Sequence, residues 1–333
     1  MALIKIDVFK GTAPKISDRL LPDGMAKAAV NCRLDSGDLA PIRALGDITS
    51  TSETGGNQNS LYKYDTVDGV VQWLRWDEDV DVVRSPVAGN TSNRVYYTGD
   101  PLDDMKPRVT QNTMAIGAGN VYPSASFLLG LPAPSSAPAA VAVGSAPEST
   151  DNEIKETRSY VYTFVSANGE EGPPSSPSPV FDLYPTSQTA TISLMDIAEN
   201  GPYNITHKYI YRTVTSAAGT GYQYVDKVEL AEGTYTDSVS SLAVGGVLPS
   251  AGWSAPPEGM IGLTTLSNGI LAGFKDNEVM FCEPFMPHAW PTKYRMSTDF
   301  PIVGIKAVGS SLIVTTKAFP YVAQGSHPSN MTL

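Results

Sequence analysis

The chain has 333 residues, and its 23 lysines and arginines against 34 aspartates and glutamates give a net charge of −11 at pH 7. The 29 glycines and 26 prolines, about one residue in six, argue against a helix bundle. The acidity argues against a protein that holds phosphates tightly, since such binding needs clustered basic residues. The length predicts two or three structural units.

Residues 1–56 predict an N-terminal arm with a short helix and a hairpin. Residues 2–9 have the pattern of an extended strand. A helix is predicted to start at Pro22-Asp23, because small and apolar residues then recur at helical spacing, at Met25, Ala28, Ala29 and Cys32. The turn residues 35–38 predict a hairpin over 31–43, and a Ser/Thr/Gly/Asn-rich linker follows at 50–60.

This arm is a candidate for contact with a partner. An extended apolar arm that precedes a linker has little core of its own to enter. It therefore either contacts another chain or pairs with a sheet edge of its own chain, and the sequence leaves both open. The candidate partner-contact residues are Phe9, Pro14, Leu21 and Pro22.

Short strands joined by tight turns predict antiparallel meanders on both sides of the middle of the chain. In residues 57–134, the segments 61–64, 70–76 and 82–84 predict one three-stranded meander. In residues 253–333, predicted strands come in two triplets, 260–266, 270–274 and 279–282, then 302–308, 312–316 and 319–323. Repeated small meanders are typical of propeller blades, so both ranges are predicted to be parts of one propeller.

Two proline-rich stretches, 131–138 and 248–257, bracket a separate module over 135–252. Strands are predicted in it at 139–143, 157–165, 180–184, 189–194, 206–215, 222–229 and 233–236. Seven short strands at this spacing predict an immunoglobulin-like or fibronectin-III-like β-sandwich. Its five basic and 13 acidic residues carry −8 of the net charge. The predicted fold class is all-β, with β-propeller-like antiparallel meanders and an inserted β-sandwich.

The sequence contains no catalytic motif, and we expect neither an enzyme nor a cofactor or metal site. Metalloprotease, nucleophile-elbow, phosphate-loop and CxxC patterns are all absent. His207, His288 and His327 are isolated in sequence, and structural or solvated roles are expected for them. Cys32 and Cys282 make neither a disulfide framework nor a zinc site. Charges near the N-terminus and the lack of a long apolar run argue against a secretion signal and a membrane span.

The densest carboxylate group, within residues 77–81, imitates the start of a calcium loop. Such a loop needs glycine at its sixth position and glutamate at its twelfth, where this sequence has Val82 and Ala88. A solvated turn between two strands is the better interpretation.

Two further features are expected to be structural. Core packing in sheets is the simplest explanation of the neighbouring aromatic residues Trp73, Trp76, Tyr96 and Tyr97, although such rings can also stack sugars or bases. The polar, proline-rich loop 167–179 is expected to be a solvated hairpin connection.

Three stretches carry a family resemblance. The first is Phe9-Lys-Gly-Thr-Ala-Pro14 with the segments 21–34 and 37–43. The second is the module opening at 157–175 with Tyr209-Ile-Tyr-Arg-Thr213, and the third is 262–325. The first resembles the opening of the tail tubular protein B family, the nozzle proteins of short-tailed bacteriophages, and of related virion proteins. The second resembles the sandwich found in many phage structural proteins, and the third is similar to the propeller strands of phage nozzle-like proteins.

The resemblance implies a structural virion protein of the phage tail, made in the cytoplasm of the bacterial host. It implies a homo-oligomeric ring, usually of six copies, at the end of the short tail, beside the tail tube or adaptor protein and the tail fibres. Such a ring retains duplex DNA and conducts it at ejection. An acidic chain fits this role, because a basic lining would bind each passing phosphate. At 333 residues the chain is shorter than the resemblance implies for a nozzle, so no gate residue is assigned.

Two other functions stay open at this stage. Aromatic residues and carboxylates would suit a receptor- or glycan-binding phage adhesin, a tail-fibre component or a depolymerase. The predicted sandwich would suit a secreted adhesion module, against which the absence of a signal peptide argues.

Overall fold

The computed structural model describes residues 8–33, 37–38, 40–42, 59–66, 68–69, 71–117, 123–149, 153–194, 201–216 and 219–333. The chain divides into two compact units, Met1–Ser52 and Glu53–Leu333. The described residues form small antiparallel sheets, which confirms the predicted all-β class. Helical structure in these ranges is limited to the α-helical turn α1 (Asn112–Ala115) and the 3-10 turns Asp18–Leu20, Leu102–Met105, Gly201–Tyr203, Ser267–Gly269, Thr292–Tyr294 and Pro328–Asn330.

The first unit contains the predicted hairpin but not the predicted helix. Strand β1 (Cys32–Arg33) pairs antiparallel with β2 (Ala40–Pro41). From residue 22 onward the chain makes a turn and bends instead of a helix, with Gly24 at φ +81° and Asn31 at φ +56°. The backbone of Ala26 bonds to Gly11 and Ala13, at 3.0 and 2.9 Å, and so makes no helical bonds. The predicted N-terminal strand falls mostly outside the described residues, and residues 8 and 9 are not in a strand.

The second unit contains 21 strands in its described residues. In chain order they are β3 Ser60–Asp65, β4 Val71–Trp76, β5 Asp81–Arg84, β6 Val95–Thr98, β7 Arg108–Thr110, β8 Phe127–Leu128, β9 Ala139–Val143, β10 Glu156–Arg158, β11 Tyr160–Ser166, β12 Phe181–Leu183, β13 Thr189–Ser193, β14 Ile205–Ser216, β15 Gly219–Glu229, β16 Thr234–Asp237, β17 Ile261–Thr265, β18 Leu271–Lys275, β19 Glu278–Phe281, β20 Arg295–Ser297, β21 Ile302–Val308, β22 Ser311–Thr316 and β23 Tyr321–Gln324.

Four of the sheets stack face to face. Sheet I contains β3 and β4, sheet II β5 to β8, sheet III β17 to β20, and sheet IV β21 to β23. One apolar cluster joins sheets I and II, a second joins II and III, and a third joins III and IV. Neighbouring residues of a strand point to opposite faces, so in β6 Tyr97 enters the first cluster and Tyr96 the second. Each large apolar side chain buried here stabilises the stack by about 1.5–3 kcal/mol relative to exposure.

The strand predictions for this stack are correct in position but partly wrong in pairing. The six predicted C-terminal strands correspond to β17–β19 and β21–β23. The third strand of the predicted N-terminal meander, β5, pairs with β6 and not with β4. Alternation identifies a strand but not its partner, and Val83 of β5 packs beside Tyr96 in the cluster between sheets II and III.

The middle module, from β9 to β16, contains all seven predicted strand segments. Strands β11, β14 and β15 form one three-stranded sheet, and β9, β13 and β16 form another. Alternate residues of both sheets, including Tyr160, Tyr162 and Ile192, meet in one apolar cluster. The short pair β10 and β12 lies beside them, so that the predicted strand 157–165 is divided between β10 and β11.

Candidate functional site

A cleft of about 400 Å³ lies where the first strands of sheets II, III and IV come together. Strand β17 contacts both β5 and β21. The cleft is lined by acidic side chains from the turn before β5 and from β5 itself, and by apolar side chains of the other elements. Its principal lining residues are Asp79, Asp81, Met105, Gly262, Phe274 and Val303.

Two glycines give the cleft its shape. Gly262 has φ +72°, and a Cβ atom there would lie 2.3 Å from the ring of Phe274. Gly99 has φ +95°, and its Cβ would lie 2.3 Å from the carbonyl oxygen of Asp79. Only glycine adopts these angles at low cost and leaves room for such close neighbours, so the backbone brings the ring and the acidic turn against the cleft.

The three carboxylates of the cleft form no ion pair with any residue that the structure describes. Glu78 and Asp79 are exposed in the turn between β4 and β5, which confirms the predicted turn. The carboxylate of Asp81 accepts a hydrogen bond from the Gly262 N–H at 3.1 Å. Desolvation by the cleft walls, and then the neighbouring charge of Asp79, raise the pKa of Asp81, while the charge of Lys306 acts in the opposite direction.

The candidate partner-contact residues all lie in the described part of the first unit. Phe9 and Leu21 are half-buried, whereas Pro14 and Pro22 are exposed. The Phe9 N–H donates to the carbonyl oxygen of Gly37 at 2.8 Å. No side chain between residues 8 and 33 is fully buried, so contact with a partner stays a prediction for these residues.

The most exposed apolar residues of the arm are ones that sequence reasoning did not select. Leu20 and Val30 are 74% and 78% exposed, and Ile16 is 36% exposed. The cations Lys15 and Arg19 stand next to Ile16 and Leu20 in sequence and are exposed as well. The pairs Lys15-Ile16 and Arg19-Leu20 lie four residues apart. This repeated basic–apolar pattern is the sequence signal that could have identified them as candidate contact residues.

The three histidines lie in different parts of the second unit, and two of them have a glutamate within 4 Å, Glu229 beside His207 and Glu283 beside His327. His207 Nδ1 is 2.7 Å from the Thr206 hydroxyl, and His327 Nδ1 accepts from the Ser329 N–H at the start of a 3-10 turn. His288 is buried, and neither of its ring nitrogens has a hydrogen-bond partner among the residues that the structure describes. Burial, together with the positive charge of Arg94, lowers its pKa to about 4.

The aromatic residues pack in the sheets as the sequence predicts, but the loop 167–179 is not the solvated connection that was expected. Trp76, Tyr96 and Tyr97 are buried in the sheet clusters, and Trp73 is half-buried. The loop was expected to be solvated, yet five of its members are buried or nearly so, at Glu170, Glu171, Gly172, Ser175 and Ser178.

One of these loop residues, Glu170, links the middle module to the segment before β6, whereas Glu171 bonds within the module. Glu170 pairs with Arg94 of the segment before β6 at 3.0 Å, and both side chains are nearly buried. Glu171 accepts hydrogen bonds from the hydroxyls of Tyr211, Thr163 and Ser250 at 2.9, 3.0 and 3.1 Å. Desolvation raises the pKa of both carboxyls. No short sequence motif marks such contacts, because the partners are far apart in sequence.

A cluster of tyrosines covers the outer face of the sheet formed by β11, β14 and β15. The ring of Tyr224 lies nearly edge-on to those of Tyr209 and Tyr211, with centroid separations of 5.4 and 5.7 Å. Tyr209, Tyr222 and Tyr224 are half-buried, so part of each ring is open to solvent.

Comparison with known proteins gives no relative. No protein-family model matches the chain, and no match was found among curated proteins. Within the described ranges, no three His, Cys, Asp or Glu side chains lie close enough together to hold a metal ion. No helix in the described parts of the chain has the length and hydrophobicity needed to cross a bilayer.

Proposed function

We propose that the protein is a non-enzymatic structural component of a bacteriophage tail, and that it forms a ring, or nozzle, at the end of the short tail. In this proposal the ring is homo-oligomeric, with six copies as the expected number, and borders the tail tube or adaptor protein and the tail fibres. It retains genomic DNA in the virion and conducts it at ejection.

The observation that carries this proposal is the succession of four stacked antiparallel sheets. Sheets I to IV occur in this order along the chain, with the middle module between sheets II and III. The first strands of sheets II, III and IV lie side by side. Adjoining blades of a propeller have this relation. The middle module, with two sheets around one apolar cluster, is in turn consistent with the predicted immunoglobulin-like sandwich. Of the three sequence stretches that carry the family resemblance, the first lies in the arm, the second in the middle module and the third in the sheet stack.

Charge supports the same role. The net charge is −11, and −8 of it lies on residues 135–252. The wall of a channel for DNA must not bind the phosphates tightly, because each bound phosphate would slow the passage of the DNA. An acidic subunit meets this condition.

The proposal is tested by measuring the mass of the purified protein by light scattering and by imaging the same sample. A closed ring is expected, with an axial opening of roughly 20 Å or more, because duplex DNA must pass and its major groove alone is about 12 Å wide. A monomer at all concentrations, or an assembly without an axial opening, would refute the nozzle function.

A second candidate is a glycan-binding adhesin, and the tyrosine cluster favours it. Half-exposed rings such as those of Tyr209 and Tyr224 offer flat faces on which sugar rings stack. Binding to a bacterial polysaccharide that is lost in Tyr209→Ala, but kept in a variant of the buried Tyr160, would favour this function. No binding across a panel of surface glycans would count against it.

A further inference from the structure

The exposed arm and the acidic cleft have complementary surfaces. The cleft has an apolar floor, with Phe274 and Val303, beneath carboxylates that have no described ionic partner. Its volume of about 400 Å³ is within the range of roughly 300–1,000 Å³ that ligand-binding pockets occupy. Apolar surface beside unpaired negative charge suits a segment that carries both apolar side chains and cations.

The segment of residues 15–20 has this composition, and its one carboxylate, Asp18, pairs with Lys27 outside the segment. Leu20 is 74% exposed and Ile16 is 36% exposed. Lys15 and Arg19 are exposed next to them and form no ion pair with a described residue. Exposed apolar side chains that are flanked by charge are typical of a protein–protein contact, and the arm has no fully buried residue between positions 8 and 33.

We infer that residues 15–20 of one copy dock into the acidic cleft of a second copy, with Ile16 and Leu20 against the apolar floor and Lys15 and Arg19 beside Glu78 and Asp79. The contact is heterologous, because the surface that binds differs from the surface that is bound. Repetition of such a contact produces a closed ring or an open filament. The inference rests on the proposed ring and names one of its subunit contacts.

The charge of the cleft, and not its apolar floor alone, identifies residues 15–20 as the segment that binds there. An apolar groove with a neutral rim would accept many partners, whereas carboxylates at the rim repel acidic surfaces such as that of residues 135–252, which carry −8 of the net charge. Among the described residues of the arm, the 15–20 segment combines two cations with two exposed apolar side chains within six residues. The proposed contact therefore pairs the carboxylates of the cleft with the cations of residues 15–20, and the apolar floor of the cleft with Ile16 and Leu20.

The test is carbodiimide cross-linking of full-length protein mixed from ¹⁴N- and ¹⁵N-labelled copies, followed by mass spectrometry. Cross-links between Lys15 and Glu78 or Asp79 that join a light to a heavy peptide are expected. If such cross-links join only peptides of the same label, the contact lies within one chain and the inference is overturned. If Lys15 forms no cross-link to the cleft, the inference is likewise overturned.

Charge-reversal variants provide the second readout. Lys15→Glu with Arg19→Glu, and separately Glu78→Lys with Asp79→Lys, are expected to lower the apparent mass in light scattering and to weaken association by about tenfold or more. Equal mixing of the two variants is expected to restore association, because each supplies the surface that the other lacks.

A matched control reverses two exposed lysines of the middle module, Lys155 and Lys227, and is expected to leave association unchanged. Failure of the mixture to restore association, or an equal loss in the control, would overturn the inference. A ring that persists by imaging in both arm and cleft variants would overturn this contact while leaving the nozzle function standing, so the two failures are distinguishable.

Discussion

The buried imidazole of His288 makes stability depend on pH in a direction that follows from the structure. Its side chain is 9% exposed, its ring nitrogens have no hydrogen-bond partner, and its pKa is lowered from 6.5 to about 4. In the unfolded chain the imidazole takes up a proton near pH 6.5, whereas in the folded protein it stays neutral until about pH 4. The stability it contributes is complete above pH 6.5 and is lost as the pH falls toward 4.

The size of the effect follows from the shift in pKa. One pKa unit corresponds to about 1.4 kcal/mol, so a shift from 6.5 to about 4 amounts to roughly 3 kcal/mol across the whole window. Glu170 and Glu171 act with the opposite sign, because a carboxyl whose pKa is raised by burial favours the folded state at low pH and loses that contribution as the pH rises. The contribution of His288 to the pH dependence of stability must therefore be separated from that of the two carboxyls.

Replacement of the ring by an apolar side chain of similar size, His288→Leu, provides this comparison. Near pH 7.5 the two proteins are expected to differ little, because the ring nitrogens make no hydrogen bond that the variant would lose. Between pH 7.5 and pH 4.5, the free energy of unfolding of the variant is expected to rise by roughly 2–3 kcal/mol relative to that of the wild type. Both carboxyl contributions are common to the two proteins and cancel.

The assay is urea unfolding followed by tryptophan fluorescence at several pH values. All four tryptophans lie outside residues 135–252, so the signal reports on the stacked sheets that contain His288. A variant of a buried residue of sheet III without a titratable group, Met280→Leu, serves as the control and should show a difference from wild type that does not change with pH. A constant difference between wild type and His288→Leu from pH 7.5 to 4.5 would refute the reasoning.

Three further predictions concern buried groups. Asp237→Asn should raise amide hydrogen exchange across β11 and β14 strongly, because Asp237 is fully buried and pairs with two arginines, and breaking such a pair costs about 3–5 kcal/mol; unchanged exchange would contradict this. Gly262→Ala should lower the melting temperature more than Gly309→Ala, since both have positive φ but only the first Cβ would meet a ring; equal decreases would contradict it. Cys282, whose pKa burial raises to about 12, should resist alkylation at pH 8 while the half-buried Cys32 reacts; equal rates would argue against this burial.

Strand positions could be predicted from the sequence because burial alternates along each strand. In β13 the buried residues Ala190 and Ile192 alternate with less buried neighbours, and β22 shows the same period at Leu312 and Val314. Sheet membership could be predicted only in part: the two C-terminal triplets pair as predicted, whereas β5 does not. Strand β6 is buried on both faces and so has no alternation, and the predictions omitted it together with the short β7, β8 and β20.

The wrong helix in the arm has a local cause. Met25, Ala28, Ala29 and Cys32 have helical spacing, yet a helix of this length gains most of its stability from packing an apolar face. No residue of this segment is fully buried, so that gain is missing. Backbone bonds between Ala26 and the neighbouring 11–13 segment replace the helical ones.

The arm and the cleft differ in how far the sequence could indicate them. Phe9, Pro14, Leu21 and Pro22 were selected for apolar character, but exposure is concentrated at Leu20 and Val30, and exposure depends on how the chain folds. The cleft brings together residues 79, 262 and 303, which no local pattern connects. The glycine requirement at 262 arises from its φ of +72° and from the ring of Phe274 across the sheet, and neither is visible in the local sequence.

The attachment of the middle module is a further consequence of contacts that are distant in sequence. Arg94 and Glu170 are 76 residues apart, yet both are nearly buried in one ion pair, and removal of either would leave a buried charge without a partner. The two connecting segments run side by side, since a Cβ on Gly130 would lie 2.8 Å from Ala255. A buried ion pair adds little net stability but restricts geometry, because its desolvation cost is offset only in one arrangement. The pair therefore joins the loop 167–179 to the segment before β6, while the apolar cores on either side supply the stability.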